Sequence, residues 1–414
     1  MDSSNNKHLY LTGVAIQNIK SFSEKTTIPL KNENGTPSMW NIIVGNNGTG
    51  KTTILKAIAL LLINSKTGRK WRKFIDFQDF ERYHSVGNKV DIEANLYSNS
   101  NIQPVNISME IFNEEIAGTK NDEDKFNDYL TLFAYGASRT MGKEAITEKQ
   151  EFPALSLFDD NASLLNVKEW LIRAEYVALK EGNQTQFEKV KEIIKSLFKT
   201  EIKDIFLETE SSIFNDKVWF KTDFGDVDLS YLSLGYKSMI AWMVDFSKGM
   251  FIKYPNNKNP LAEPAICLID EIDLHIHPSL QRDMITFLSE IFPKTQFIVT
   301  AHSPLILQAA PDANIILLKK DKNSVKIDSN PQNIKNWRLD QIFTSDLFGL
   351  KSAHSPKTDK LFKERRKLLL KEKLDDSDKK RLEEIESKLD EIPILESKEA
   401  LQAIELIKKA AQNI

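Results

Sequence analysis

"GNNGTGKTT", residues 45 to 53, lies between the apolar stretch "WNIIV" (40–44) and the apolar-rich "TTILKAIALLLI" (52–63). Together these pieces predict a short strand that turns into a helix through a glycine-rich loop. Gly45, four residues, then Gly50-Lys51-Thr52 is the spacing of the phosphate-binding P-loop, and strand-to-helix is the context that motif needs. Glycines 45, 48 and 50 let the backbone turn its N–H groups inward, where the helix start also favours negative charge. The candidate nucleotide contacts are therefore Gly45, Asn46, Asn47, Gly48, Thr49, Gly50, Lys51, Thr52 and Thr53. Lys51 is expected to reach the β- and γ-phosphates of ATP, and Thr52 to hold Mg²⁺.

The chain has 414 residues, 41% of them hydrophobic, which allows one large or two to three ordinary domains and argues against a disordered polymer. The opening "MDSSNNKHLY" is polar and no later apolar run approaches the length of a membrane span, so a cytoplasmic protein with no membrane partner is expected. A formal net charge of −3 excludes a polycation built for nucleic acid. A local patch, "KTGRKWRKF" (66–74), has the basic and aromatic composition of a DNA contact and equally that of a solvated helix end, which leaves DNA as a further candidate partner. The single cysteine, Cys267, excludes an intrachain disulfide and sits in an apolar run, most simply as core.

"AEPAICLIDEIDLHIHPSLQRDM" (262–284) is the second informative stretch. An apolar strand, 265–269, ends in the adjacent acids Asp270 and Glu271, a Walker B element. The first acid can orient Mg²⁺ and the second can serve as general base toward the attacking water. "TQFIVTAHSPLIL" (295–307) then supplies another buried strand with His302 at its end, where it reads as a switch histidine sensing the γ-phosphate. "DLSYLSLGYKSMIAWMV" (228–244) places Leu232-Ser233-Leu234-Gly235 at the start of an apolar helix, about thirty residues before Walker B.

The last motif resembles the signature of ABC-type ATPases, and the order P-loop, signature, "DEIDLHIHP" and "TAHSP" resembles the SMC/RecF/OLD group within them. The resemblance covers about residues 9 to 320. It extends to "LTGVAIQNIKSFSEKTTIPL" (11–30), with the turn Ile19-Lys20-Ser21-Phe22, and to an extended D-loop containing Asp273, His275, His277 and Pro278. The two histidines read as loop architecture, because no third metal ligand lies nearby. Tyr236, after the signature glycine, matches the variant common in the OLD and PtuA-like ATPases, the latter associated with Septu and retron anti-phage defence. "FAYGASR", ending in Arg139, resembles a motif of the same relatives at the place of the Q-loop; Gln78 is the candidate Q-loop glutamine.

The resemblance implies an α/β P-loop NTPase of the ABC-ATPase head type, with a mixed, mostly parallel sheet, an antiparallel β lobe, a helical insertion and a C-terminal helical appendage. It also implies that Ser233 and Gly235 contact the γ-phosphate held by another subunit, so that ATP is sandwiched between the heads of a homodimer or higher even oligomer. Fewer than two hundred residues separate Thr52 from Leu232, without sustained heptads, so the head is compact. "KVDIEANLY", "VNISMEIF" and "YLTLFAYGASR" read as strands, and "NVKEWLIRAEYVALKEGNQTQFEKVKEIIKSLF" as two helices around Gly182. The expected division is 1–165 (N-terminal ATPase lobe), 166–230 (helical insertion and connecting strands), 231–350 (C-terminal ATPase lobe) and 351–414 (helical appendage). In the appendage, "DDSD" (375–378) is expected to cap a helix that carries Leu382, Ile385 and Leu389 on one face.

No glutamate with Asp-x-Asp at strand ends follows His302, so a Toprim nuclease is not expected in this chain. An ATPase that controls an effector in trans, an HNH nuclease being favoured by the resemblance, is the functional expectation. A RecF-like repair ATPase and a defence ATPase paired with a Toprim nuclease are the alternatives. An energy-coupling transporter subunit fits least, given Tyr236 and the D-loop.

Overall fold

The computed structural model describes residues 8–63, 73–80, 89–98, 105–112, 115–120, 130–143, 152–181, 185–208, 217–321, 324–328, 337–350, 352–371 and 374–389. Strands β1 (Leu9–Gln17) and β2 (Thr26–Pro29) precede β3 (Trp40–Gly45), the glycine-rich loop and helix α1 (Lys51–Ile63). Strands β4 (Val90–Ser98), β5 (Val105–Phe112), β6 (Glu115–Lys120) and β7 (Leu132–Tyr135) follow, then helices α2 (Leu155–Phe158), α3 (Val167–Glu181) and α4 (Thr185–Leu197). Three short strands, β8 (Asp204–Glu208), β9 (Lys217–Thr222) and β10 (Gly225–Asp228), lead to the long helix α5 (Leu234–Lys253). The chain next alternates β11 (Ala265–Ile269), α6 (Pro278–Ile291), β12 (Thr295–Thr300), α7 (Pro304–Ala309), β13 (Asn314–Asp321) and β14 (Ser324–Asp328). Helices α8 (Leu339–Thr344), α9 (Pro356–Leu369) and α10 (Asp376–Leu389) complete the described elements. The chain divides into two compact units, Met1–Ile342 and Phe343–Ile414.

In the first unit, a six-stranded sheet runs in the order β14-β13-β3-β12-β11-β7, parallel throughout except for β14. Every residue of β11 and β12 is buried, which is why these strands read as continuous rather than alternating apolar runs. A second sheet, β2-β1-β4-β5-β6, is antiparallel. Helix α1 packs against strands of both sheets. It is mostly apolar and buries Ile54, Leu55, Ile58, Leu60 and Leu61 among others, each such side chain contributing about 1.5–3 kcal/mol. Buried Gln296 of β12 ties the sheets together: it accepts from the Leu11 N–H (2.8 Å) and donates to the Leu11 carbonyl (2.7 Å), beside an irregularity in the β1 ladder between Leu11 and Gly13. A buried amide that was not satisfied this way would be costly.

The strands β10-β9-β8 form a small antiparallel sheet. Helices α3 and α4 pack on one another and on α5, the helix that follows the signature. The predicted break around Gly182 falls outside the described residues, between Glu181 and Thr185.

In the second unit, α9 and α10 pair through Leu368, Ile385 and Leu389, with Leu382 partly buried beside them. The Ser355 side chain caps α9, and Asp375 Oδ1 accepts from the Asp378 N–H (2.8 Å) at the start of α10, the capping role expected of "DDSD". Arg381 binds both carboxylate oxygens of Glu364 (2.8 and 3.0 Å) on the surface of the pair. The expected helix at "SKEALQAIELIKKAA" (397–411) and most of the basic patch, 66–72, lie outside the described residues. Among the described residues, no helix is long and apolar enough to cross a membrane.

Candidate functional site

The loop of residues 45–50 leaves the carboxyl end of β3 and enters α1. Gly50 has φ +91°, and a Cβ placed there would come within 2.6 Å of the Phe22 ring, so both the turn and its support demand glycine. Phe22 is positioned by the tight turn read in "NIKSF", in which Ile19 and Phe22 exchange backbone hydrogen bonds of 3.0 and 2.7 Å. The Ser21 hydroxyl donates to the Gly48 carbonyl (3.3 Å). Asn46, Asn47 and Gly48 form the exposed crest of the loop, and Thr49 is buried beneath it, donating to the Asn46 carbonyl (2.8 Å). Buried Lys51 donates to the carbonyls of Gly45 (2.7 Å) and Asn46 (3.3 Å). Burial pulls its pKa down, and the nearby charges of Asp270, Glu271 and Asp273 oppose that shift.

Strands β11 and β12 bring the acids to this loop. Asp270, buried at the end of β11, accepts from the Thr52 hydroxyl through Oδ2 (2.7 Å) and from the Thr300 hydroxyl through Oδ1 (2.6 Å). Thr300 Oγ1 in turn accepts from the Glu271 N–H (2.7 Å). Glu271 is in the left-handed region, φ +48°, a conformation that costs a residue with a side chain about 1 kcal/mol or more. Its carboxylate is partly exposed, and Oε1 lies 4.0 Å from His302 Nε2. Thr52 and Asp270 thus present only oxygen donors to one point beside the loop, a hard donor set that fits Mg²⁺ rather than a soft metal.

Asp273 fixes the far wall, its carboxylate accepting from the His302 N–H at 3.1 and 3.2 Å. The loop between β11 and α6 is pinned by Gln281, whose amide donates to the carbonyls of Asp273 (3.2 Å) and Ile276 (2.9 Å). His277 caps α6 with its ring and His275 takes the left-handed φ of +62°, so both histidines serve loop geometry. Among the described residues, no group of three His, Cys, Asp or Glu side chains is placed to hold a metal ion.

Ser233 is the N-cap of α5 but makes no side-chain capping bond. A Cβ on Gly235 would run into the His275 carbonyl oxygen, so this glycine is required where the signature helix abuts the D-loop. The two residues share a cavity of about 500 Å³ with Tyr236, His275, His277 and Glu201. The structure gathers the P-loop and Walker B residues, and among the described residues no hydrogen bond joins Ser233 or Gly235 to residues 45–53. Gln78 lies in a short turn (Phe77–Phe80) whose Asp79 pairs with Lys20 (3.2 Å) and Lys56 (2.6 Å).

Three residues near the site carry no role in the motif reading. Thr300 is the hydroxyl relay between Asp270 and Glu271, Phe22 supports Gly50, and Arg139 donates to the carbonyls of both acids. Each acts through a contact distant in sequence. Phe22 is signalled by the turn Ile19-Lys20-Ser21-Phe22 and Arg139 by its place in "FAYGASR"; Thr300 is not.

The parallel sheet, the glycine-rich loop and the paired acids at its strand ends define the α/β fold of a P-loop NTPase of the ABC-ATPase head type, with an antiparallel β lobe, a helical insertion and a C-terminal helical appendage. The chain belongs to the family described as "AAA domain, putative AbiEii toxin, Type IV TA system", which it matches over residues 41–308. It is 27% identical over 353 residues to the Septu protein PtuA of Bacillus mycoides (strain KBAB4), covering 83% of this chain and 45% of that protein. It is 24% identical over 390 residues to the retron Vc95 probable ATPase of Vibrio cholerae serotype O1 biovar El Tor, covering 76% of this chain and 74% of that one. The match thus spans less than half of the PtuA relative from B. mycoides. Among solved structures, an SMC head bound to the C-terminal winged-helix domain of ScpA superposes with a TM-score of 0.50 at 16% identity, covering 77% of this chain and 97% of that one, a likeness of fold.

Proposed function

We propose that this chain binds and hydrolyses ATP as one half of a dimer in which each signature motif meets the nucleotide on the partner's P-loop. In this reading it uses its ATP state to control an effector, an HNH nuclease in trans, in bacterial anti-phage defence. The observation that carries the chemistry is the chain Thr52, Asp270, Thr300, Glu271, which links the P-loop to both Walker B acids through hydrogen bonds of 2.6–2.7 Å. The relatives named for Septu and retron systems support the defence setting.

Each residue has a stated task. The N–H groups of Gly45 to Thr53 and the start of α1 bind the phosphates, and Lys51 leaves the loop carbonyls for the β- and γ-phosphate oxygens. Thr52 and Asp270 would hold Mg²⁺, which when bound neutralises charge on the β- and γ-phosphates. Glu271 accepts the proton of the attacking water, and His302, close to Glu271 and fixed by Asp273, contacts the γ-phosphate. Ser233 and the first N–H groups of α5 act on ATP held by a second copy. Gly235 acts chiefly by letting α5 approach the D-loop. The expected lobes at 1–165 and 231–350, with the insertion at 166–230 and the appendage at 351–414, form our proposed organisation of these tasks.

The chain carries no nuclease centre of its own in this reading. Purified protein with Mg²⁺ or Mn²⁺ should leave DNA intact. Bacteria expressing the chain together with the product of its neighbouring gene, expected to be an HNH nuclease, should resist phage, and neither gene alone, nor the pair with Glu271→Gln, should protect. Protection by this chain alone, or DNA cleavage by it, would contradict the proposal.

A further inference from the structure

Arg139 is among the most deeply buried side chains of the molecule, 1% exposed, in the segment that follows β7. No carboxylate among the described residues forms an ion pair with it. Its guanidinium instead donates to three backbone carbonyls: Nη1 to Asp270 (2.5 Å) and Gly136 (3.3 Å), and Nη2 to Glu271 (2.9 Å). Burying an unpaired cation is expensive, and burial pushes its pKa down to about 10 while the charges of Asp270, Asp273 and Glu271 counter that shift. A structure that spends a buried charge on peptide carbonyls gains position rather than charge neutrality.

What it positions follows from the conformation of its target. Glu271 sits at φ +48°, and its backbone is held on both sides: the N–H by Thr300 Oγ1 and the carbonyl by Arg139 Nη2. The planar fork bridges consecutive carbonyls in a way that one ammonium group cannot reproduce. We propose that Arg139 is a positioning residue for ATP hydrolysis, holding Glu271 in its left-handed conformation so that its carboxylate faces the attacking water. The inference rests on Glu271 acting as the base. The segment that carries Arg139 is itself tied to the approach to the helical insertion: the Leu164 N–H donates to the Thr140 carbonyl (2.7 Å) and the Ser138 hydroxyl to the Asp160 carbonyl (2.6 Å).

The test compares Arg139→Lys, Arg139→Ala, Glu271→Gln and the double variant Arg139→Lys/Glu271→Gln in the full chain, measuring kcat and the Kd of a fluorescent ATP analogue. Arg139→Lys should lower kcat by about tenfold to a hundredfold while Kd changes less than about twofold, because misplacing a reacting group costs rate rather than binding. Guanidinium ion at millimolar concentration should restore part of the rate to Arg139→Ala and none to Glu271→Gln. In the Glu271→Gln background, Arg139→Lys should cause no further loss. Where Arg139→Ala does not fold, Arg139→Lys, which keeps the charge, carries the test with melting temperature as its control. A kcat for Arg139→Lys within about twofold of the parent would overturn the inference, as would a parallel loss of ATP affinity or an equal loss in the Glu271→Gln background. If Glu271→Gln itself keeps its turnover, the base assignment fails and the inference with it, a result separate from any effect of Arg139→Lys.

Discussion

Two faces of the ATPase unit are built in opposite ways. At the P-loop face, polar groups answer one another around buried Asp270, Thr300 and Arg139: Thr52 to Asp270, Asp270 to Thr300, Thr300 to Glu271, Glu271 to Arg139. At the signature face, Ser233 makes no capping bond, and the apolar side chains Tyr231 and Leu234 are 83% and 58% exposed. A network of hydrogen-bonded polar groups holds a geometry by itself, whereas exposed apolar side chains around a helix start mark a surface that gains from being covered. In the proposed dimer the first face is assembled within one chain and the second is the half that another copy would complete.

The sharpest way to break this contrast is at the locked face. Glu271→Gln should retain ATP binding and lose about two to four orders of magnitude in turnover, since the amide keeps the shape but accepts no proton. Turnover within tenfold of the parent would remove Glu271 from the base role. Lys51→Ala should weaken nucleotide affinity itself, as read by titration with the fluorescent analogue.

A smaller effect is expected where the signature helix meets the sheet. Asp245, half-buried on α5, accepts from the Tyr135 hydroxyl (3.0 Å), and desolvation raises its carboxyl pKa to about 6. A pKa raised by folding means that the fold prefers the neutral acid. This group's contribution therefore falls as pH rises from about 4, the unfolded value, to about 6. Asp245→Asn, which can still accept from Tyr135, should stabilise the protein by about 1–3 kcal/mol at pH 8 and leave it nearly unchanged at pH 4. Equal melting shifts at both pH values would mean that desolvation of Asp245 does not limit stability.

The smallest effect is expected in the C-terminal helical pair. Truncation after Leu350 should change ATPase turnover by less than about twofold, because these helices form a unit with its own small apolar contact. A collapse of turnover would make the appendage part of the ATPase fold. Loss of effector co-purification alone would make it the docking element.

Local chemistry was legible in the sequence and long-range contact was not. Gly45 to Thr53, the acids after β11 and His302 after β12 could be found because turn residues, apolar runs and their spacing are written in consecutive positions. The helical stretches α3, α4, α9 and α10 could be found for the same reason. Arg139 lies 131 residues from Asp270 in the chain, and nothing in its neighbourhood says which carbonyls it will reach. Gly235 illustrates the same limit from the other side. Its place in the signature suggested a phosphate contact, while its need for a bare Cα is set by the His275 carbonyl, which only the packed D-loop reveals.

The central claim is that one chain carries half of each ATP site, and mixed dimers test it most directly. Lys51→Ala disables the P-loop, and Ser233→Arg places a bulky charge at the signature surface without touching Gly235. Heterodimers purified through two different tags should recover ATPase activity that neither homodimer shows, because one of their two composite sites keeps an intact P-loop and an intact signature. Heterodimers as inactive as both parents would place the whole site within a single chain.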